Sequence, residues 1–406
     1  MLNKDRWLLP EGIQEVLSPQ ALTIESHRRS LLDLYQTWGY DLVEPPMIDF
    51  LDSLLTGTGH DLQLMTFTLT DQISGKLLGV RADMTPQIAR IDAHHIKTEH
   101  PSRFCYIGQV LKTRLKGFSQ SRSPLQVGIE LYGHSGPESD IEVLLLMTET
   151  LKSVGLEGFH IDLGHVGIFR SLASQAGLTK NEEDTLFDAL QRKAVTELSE
   201  FLNGLQISDA RKQQFMALVE LNGDITVIDR AREQLISKES SDDAGNKKVQ
   251  AELDNLEAIA RGLLARVPEL NLYFDLAELR GYNYHTGVVF AAYLPGHGQD
   301  IAHGGRYDGI GETFGRSRAA TGFSTDLTHL VSLLNDVEQT NNGQAIFVPV
   351  LDDSALEQSL RTAVADLRRQ GVRVISELPD SNSSAEALSC THRLSYESGE
   401  WQVIEI

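Results

Sequence analysis

The sequence predicts an α+β protein: a sheet flanked by helices, carrying a helical insertion and a small α/β unit toward its C-terminal end. Three observations lead there. Strand-like alternation recurs, as in "FCYIGQVLKTRLKGFSQSRSPLQVGIELYG" (104–133), which reads as two strands joined by a basic loop. From about Thr179 to Val267 charged, long-chain residues dominate and β-branched runs are few, the pattern of packed helices. Beyond residue 344, "AIFVPVL", "SALEQSLRTAVADLRRQG" and "VRVISEL" read as strand, amphipathic helix and a second strand parallel to the first.

The elements follow in chain order. Ser18-Pro19 reads as a cap and first-turn proline, and Leu22, Leu31, Leu32, Leu34, Tyr35 and Trp38 form an apolar stripe that Gly39 ends. "GYDLVEPPMIDF" leaves as an extended segment in which Pro45 and Pro46 bar a central strand. "LMTFTLTD" reads as a strand, and "GKLLGVRADMTPQIARIDAHHI" as a turn and a helix past Pro86. "SDIEVLLLMTETLKSVGL" is a helix ending near Gly155, and "FHIDLGHVGIFRSLASQAGL" a strand and helix. Within the helical insertion "SKESSDDAGNKK" reads as a solvated loop. Strands return with "LNLYFDLAEL" and "YNYHTGVVFAAYL"; "GHGQDIAHGGRYDG" reads as a glycine-rich turn and "NDVEQTNNGQ" as a linker. The expected domains are 1–172 and 267–335 as two parts of one core, 173–266 as the helical insertion, and 343–406 as the α/β unit.

Composition bounds the function. At 406 residues, roughly two or three domains are expected. No run matches a membrane-spanning helix, and "MLNKDRWLLPEGIQEV" lacks the apolar core and cleavage site of a signal peptide, so a cytoplasmic location is expected. With only Cys105 and Cys390, a disulfide framework and a Cys-rich metal site are excluded, and Cys105 reads as a small buried hydrophobe. The formal charge of -21 weighs against a nucleic-acid partner, which calls for clustered Lys and Arg. No GxxxxGK[ST] loop, GxSxG elbow or HExxH helix occurs.

In "LQVGIELYG" alternation puts Leu125, Val127, Ile129 and Leu131 on one face and Gln126, Gly128, Glu130 and Tyr132 on the other. That second face is either a floor for a small cationic or amide-bearing ligand, or a solvated face of an antiparallel sheet. "RADMTPQ" offers Asp83 and Thr85, an anion and a hydroxyl suited to an α-ammonium group; a turn and helix cap would use the same residues. "LRGYNYHTGVVF" offers Arg280, able to clamp a carboxylate with two parallel hydrogen bonds, beside Tyr282, Tyr284 and His285. "HGGRYDG" adds Tyr307. Together these groups complement an amino acid at both ends and provide a carboxylate for a basic side chain.

The order of "GYDLVEPP", "LLGVRADMTPQIAR", "RFCYIGQVLK", "LQVGIELYG", "LRGYNYHTGVVF", "HGGRYDG" and "TGFSTDLTHL" resembles the catalytic domain of histidyl-tRNA synthetase over roughly residues 1–335. That resemblance implies a class II aminoacyl-tRNA synthetase-like antiparallel sheet. It places Asp83 (a Glu in the synthetase), Thr85 and Gln126 at the α-amino group of histidine and Glu130 at the imidazole. Arg280 falls on the arginine of the histidine-specific motif, and Tyr284 and Tyr307 on pocket aromatics, with His285 in place of a second Tyr. The ATP grip departs from the synthetase pattern: Lys112 and Arg114 stand where it has Arg and Glu, and Thr328-His329 where it has Glu-Arg. Lys lacks the planar fork, Arg114 reverses a charge, and chemistry that depends on positioned cations loses two of them.

A retained pocket with a dismantled ATP grip is similar to the regulatory subunits of ATP phosphoribosyltransferase, whose LRGYxYHTGxxF pattern this chain matches. The resemblance implies a chain with no catalytic residue, cofactor or metal. Its implied role is to join the short-form catalytic subunit for the first step of histidine biosynthesis and to mediate feedback by histidine. Symmetric homodimers within a hetero-octamer, and no tRNA or membrane partner, are further implications. The competing readings from the enzyme class are a divergent histidyl-tRNA synthetase forming histidyl-adenylate, and an amino-acid ligase using another acceptor.

Overall fold

Two neighbouring strands, Ser102–Gln109 and Leu125–Tyr132, are each buried on both faces. Cys105, Ile107, Val127, Ile129 and Leu131 join Leu144, Met147 and Leu151 of helix Pro137–Val154 in the main core. Phe104, Tyr106 and Tyr132 instead pack with Met84, Ile88 and Tyr307. Side chains alternate across a strand, so one hairpin serves two interiors. The computed structural model describes residues 7–56, 60–115, 121–236, 243–334, 345–351, 355–379, 381 and 383–406. The chain forms two compact units, one of residues up to Val16 and Ile24–Leu334, the other of Leu17–Thr23 and the chain beyond Leu334.

In the first unit the strands are β1 (Asp41–Leu42), β2 (Ile48–Phe50), β3 (Phe67–Thr70), β4 (Leu77–Val80), β5 (Ser102–Gln109) and β6 (Leu125–Tyr132). They continue with β7 (His160–His165), β8 (Asn222–Gly223), β9 (Asn271–Asp275), β10 (Val288–Tyr293), β11 (Asp300–Arg306) and β12 (Ala320–Asp326). Among the described residues a nine-stranded sheet runs β1-β5-β6-β12-β11-β10-β7-β9-β8, and β2-β4-β3 form a separate three-stranded sheet. The ladders from β5 through β7 are antiparallel, while β1 with β5 and β7 with β9 are parallel. β1 is a two-residue edge strand, in keeping with the prolines that follow it.

Helix boundaries follow local chemistry. Pro137 opens helix Pro137–Val154, where a missing N–H costs nothing, and Gly155 closes it at φ +98°. Thr179 and Glu182 form a reciprocal capping box at the start of helix Lys180–Gln191. Further helices, Val195–Gly204, Asp209–Glu220, Val227–Leu235 and Asp243–Leu264, bury Leu198, Phe215, Ile228 and Leu256 in the main core. No helix among the described residues is long and apolar enough to cross a membrane.

Several expectations need correction. "GHGQDIAHGGRYDG" is a turn only in part: Gly296 turns at φ +87°, but the segment also contains β11, where Gly304 and Gly305 serve close strand approach. A Cβ on Gly304 would lie 2.1 Å from the Gly322 carbonyl oxygen, and one on Gly305 2.7 Å from that of Val288. The single strand expected before Pro86 is the hairpin β3–β4, and the helix Thr85–Ile91 runs on into a π-helical turn, Asp92–Ile96. The insertion is not wholly helical, since β8 pairs with β9. The second half of "SKESSDDAGNKK" begins helix Asp243–Leu264, while residues 237–242 and the expected linker 335–344 lie outside the described residues.

The second unit holds β13 (Ile346–Val348), β14 (Val374–Ser376), β15 (His392–Glu397) and β16 (Glu400–Glu405), ordered β14-β13-β15-β16. β13 and β14 are parallel, as a strand-helix-strand reading requires, and β15–β16 close as a hairpin. Helix Glu357–Arg369 sets Val364 against Ile346, Val348, Val374 and Leu394.

Candidate functional site: a buried carboxylate on the sheet

Glu130 stands in the middle of β6, in register with Phe104 on β5 and Gly322 on β12, and is 2% exposed. Its Oε1 accepts from Thr85 Oγ1 at 2.8 Å and from the Tyr106 phenol at 3.0 Å, and its Oε2 accepts from the Tyr307 phenol. Burial pushes the Glu130 carboxyl up to about 8, against the opposing pull of these three donors. Glycine makes the room. A Cβ on Gly322 would sit 1.8 Å from Glu130 Oε2, and one on Gly128 would sit 2.4 Å from the Tyr106 oxygen.

Beside this carboxylate the start of helix Thr85–Ile91 supplies a polar arc. Asp83 Oδ1 accepts from Gln126 Nε2 at 2.8 Å and from the Thr85 amide at 3.0 Å, while Gln126 Oε1 accepts from the Met84 amide at 3.0 Å. Gln126 and Glu130 are both buried, so the polar face of β6 is not a solvated one. The structure thus brings Asp83, Thr85, Gln126, Glu130 and Tyr307 together in one hydrogen-bonded constellation.

Arg280 and Tyr284 stand apart from it. Arg280 Nη1 meets Asp300 Oδ1 at 2.9 Å, and its Nη2 donates to the Tyr293 phenol at 2.8 Å. Tyr284, 42% exposed, packs on His285 with ring centroids 4.3 Å apart, and the His285 ring lies 6.4 Å from that of Tyr307. Burial lowers His285 to about 3, so its ring is neutral; Nδ1 lies 3.2 Å from the Arg306 carbonyl oxygen. Sequence reasoning passed over Tyr106 and Gly322. Tyr106 had a signal, because alternation puts it on the face of Phe104, but its pairing with Gly128 depends on a register no local pattern states.

Around the hairpin, Arg81 and Arg122 are already engaged. Arg81 donates to the carbonyl oxygens of Gln109 and Pro45, and Arg122 to those of Lys112 and Glu11. Arg114 is exposed. At the last motif Asp326 caps the helix that carries Thr328 and His329. Cys105 is buried, and desolvation raises its thiol to about 11, as expected of an inert packing residue.

Residues 12–330 match the family model for histidyl-tRNA synthetase, and residues 343–404 match that for the ATP phosphoribosyltransferase subunit HisZ C-terminal domain. The chain is 53% identical to the ATP phosphoribosyltransferase regulatory subunit of Thioalkalivibrio sulfidiphilus over 407 residues, covering 100% of both chains. It is 51% identical to that of Azotobacter vinelandii with the same coverage. Among solved structures, an ATP phosphoribosyltransferase regulatory subunit/histidyl-tRNA synthetase from Bacillus halodurans superposes with a TM-score of 0.82 at 26% identity, covering 96% of this chain and 97% of the other. Histidyl-tRNA synthetase from Nostoc sp. PCC 7120 gives 0.77 at 20% identity, covering 98% and 97%, and bears on the fold alone. The class II synthetase-like α+β fold is the one these neighbours share.

Proposed function

We propose a histidine-sensing role for this chain, which belongs to the family of ATP phosphoribosyltransferase regulatory subunits. It is a non-catalytic subunit with a regulatory role in histidine biosynthesis. In our reading histidine binds at the polar face of β6: Glu130 accepts from the imidazole, and Asp83, Thr85 and Gln126 receive the α-ammonium group. Tyr307 orients Glu130, while Arg280 and Tyr284 close over the carboxylate end. The observation that carries this reading is Glu130 itself, a buried carboxylate held by three hydroxyls beside the Asp83–Gln126 pair.

The partner in this reading is the short-form catalytic subunit, acting in the cytoplasm without tRNA. Feedback then follows from linkage: histidine must prefer one arrangement of the complex, and its effect cannot exceed that preference. A second copy of this chain belongs to the same reading, as a homodimer within a hetero-octamer. In support, Ile48, Phe50, Phe67, Leu69, Leu78 and Val80 share one face of the β2-β4-β3 sheet by register, with Ile48, Phe50 and Leu69 each at least 40% exposed.

The test is reconstitution with a short-form catalytic subunit, followed by activity with and without histidine and by calorimetry of histidine binding. Failure to alter the activity or mass of the catalytic subunit would remove the partnership; absence of histidine binding, alone and in complex, would remove the sensing. A divergent synthetase would instead exchange pyrophosphate into ATP in a histidine-dependent way. We expect no exchange, because Lys112, Arg114, Thr328 and His329 stand where the synthetase pattern needs other groups, and because Arg81 and Arg122 give their N–H groups to backbone carbonyls.

A further inference from the structure

We propose that Asp300 is an internal carboxylate that competes with the α-carboxylate of an amino-acid ligand for Arg280. This inference rests on the reading of the Glu130 constellation as a histidine site and adds a residue that sets how tightly that site binds.

The geometry gives Arg280 a filled guanidinium, held by Asp300 and Tyr293. Arg280 opens the loop that carries Tyr284 and His285, and Gly281 at φ +67° turns that loop back on itself. A Cβ on Gly281 would meet His285 at 2.4 Å and the Tyr284 ring at 2.6 Å, so the backbone next to Arg280 is tied to the rings that border Tyr307. Asp300 starts β11, the strand that leads into Tyr307. On that strand His303 pairs with Ser324, Ser324 with Gly128, and Gly128 with Tyr106. Paired residues of antiparallel strands share a face, so His303 lies on the same face of the sheet as Glu130. Its Nδ1 is 2.7 Å from Asp300 Oδ2, while Asp300 Oδ1 takes Arg280. The Arg280–Asp300–His303 chain is therefore anchored, through His303, on the sheet face that carries Glu130.

Several acidic groups share the Arg280 guanidinium. Glu278 Oε1 lies 3.9 Å from Arg280 Nε and already accepts the Arg280 amide at 2.9 Å. Asp162, another neighbour of Arg280, is raised to about 6, chiefly by burial. A single guanidinium thus stands among several carboxylates and remains 30% exposed at its side chain. A ligand carboxylate offering a two-pronged contact can displace a monodentate partner, with His303 left to hold the released Asp300.

The test compares histidine with histamine, which lacks the α-carboxylate, by calorimetry on the full chain. For the wild type, histidine is expected to bind more tightly than histamine. Asp300→Asn should raise histidine affinity about two- to fivefold, the scale of one partly exposed ion pair, and leave histamine affinity unchanged. Arg280→Ala should reduce histidine to the histamine level, with or without Asp300→Asn. Asp300→Ser, checked by thermal melting, serves if the Asn variant misfolds. Unchanged or weaker histidine binding in folded Asp300 variants, or an equal gain for histamine, overturns the competition while leaving the histidine site standing. Binding of neither compound to the wild type removes the site and the competition together.

Discussion

The phenol of Tyr307 donates to Glu130 Oε2 although 177 residues separate the two along the chain. Glu130 lies on β6 and Tyr307 just past the end of β11, and β12 runs between those two strands. The contact crosses β12 at Gly322, the one residue type without a side chain to block it. The candidate site is therefore a property of strand order and register as much as of its acidic residue.

Glu130→Gln should weaken histidine binding about tenfold or more while leaving assembly unchanged. The substitution keeps the shape but replaces one oxygen with an amide that cannot accept, and leaving a buried polar group unsatisfied costs about 1–3 kcal/mol. Calorimetry reads the first effect and size exclusion the second. A parallel loss of assembly would assign Glu130 a structural role.

Stability should fall with pH in a way that depends on Glu130. Its carboxyl in the folded protein is raised to about 8 from an ordinary value of 4.5, so between those values the folded state binds the extra proton. The stabilisation is complete below 4.5 and is lost as pH rises to about 8. Urea titrations of wild type and Glu130→Gln should therefore differ between pH 5 and pH 8 by about 2–4 kcal/mol, with the wild type losing ground.

Gly322→Ala should abolish histidine binding and lower stability by about 1–3 kcal/mol. Its new methyl would overlap Glu130 Oε2 and lie 2.5 Å from the Ile129 carbonyl oxygen, and backbone there cannot move without disturbing the β6–β12 ladder. Calorimetry and thermal melting measure the two losses.

Arg306→Met should destabilise the fold by about 3–5 kcal/mol, because it strands the fully buried Asp140. Arg306 also donates to Ser139 Oγ and to the carbonyl oxygens of His134 and Gly136, tying β11 to the start of helix Pro137–Val154. Chemical denaturation gives the value, and an effect below about 1 kcal/mol would contradict the assignment.

Phe50→Glu should convert a homodimer to monomer. It places a charge at one end of the apolar row Phe50–Leu78–Leu69, where an apposed copy would have to desolvate it. Sedimentation velocity distinguishes the two states, and an unchanged dimer would move the interface elsewhere.

Much of the site was legible from residue type and local spacing. Period-two alternation put Gln126 and Glu130 on one face of a strand, and Asp83 and Thr85 before Pro86 marked a helix start with polar groups to spare. Local pattern misled at "GHGQDIAHGGRYDG", where glycines required by strand-to-strand proximity look the same as glycines required by a turn. It also could not place Arg280, whose fork is suited to any carboxylate; its observed partner, Asp300, is twenty residues on and across a bulged ladder.

The sequence by itself determined the classes of element, the charge balance against nucleic acid, and the supply of an acid, hydroxyls and an amide for an amino acid. Those depend on residue type and on periods of a few residues, which the chain states directly. Only the tertiary structure decided that Tyr106, Thr85 and Tyr307 share Glu130, that Gly322 leaves the gap for them, and that Arg280 is held by Asp300. Those relationships are set by strand order, register and burial, which arise when distant segments exclude water together.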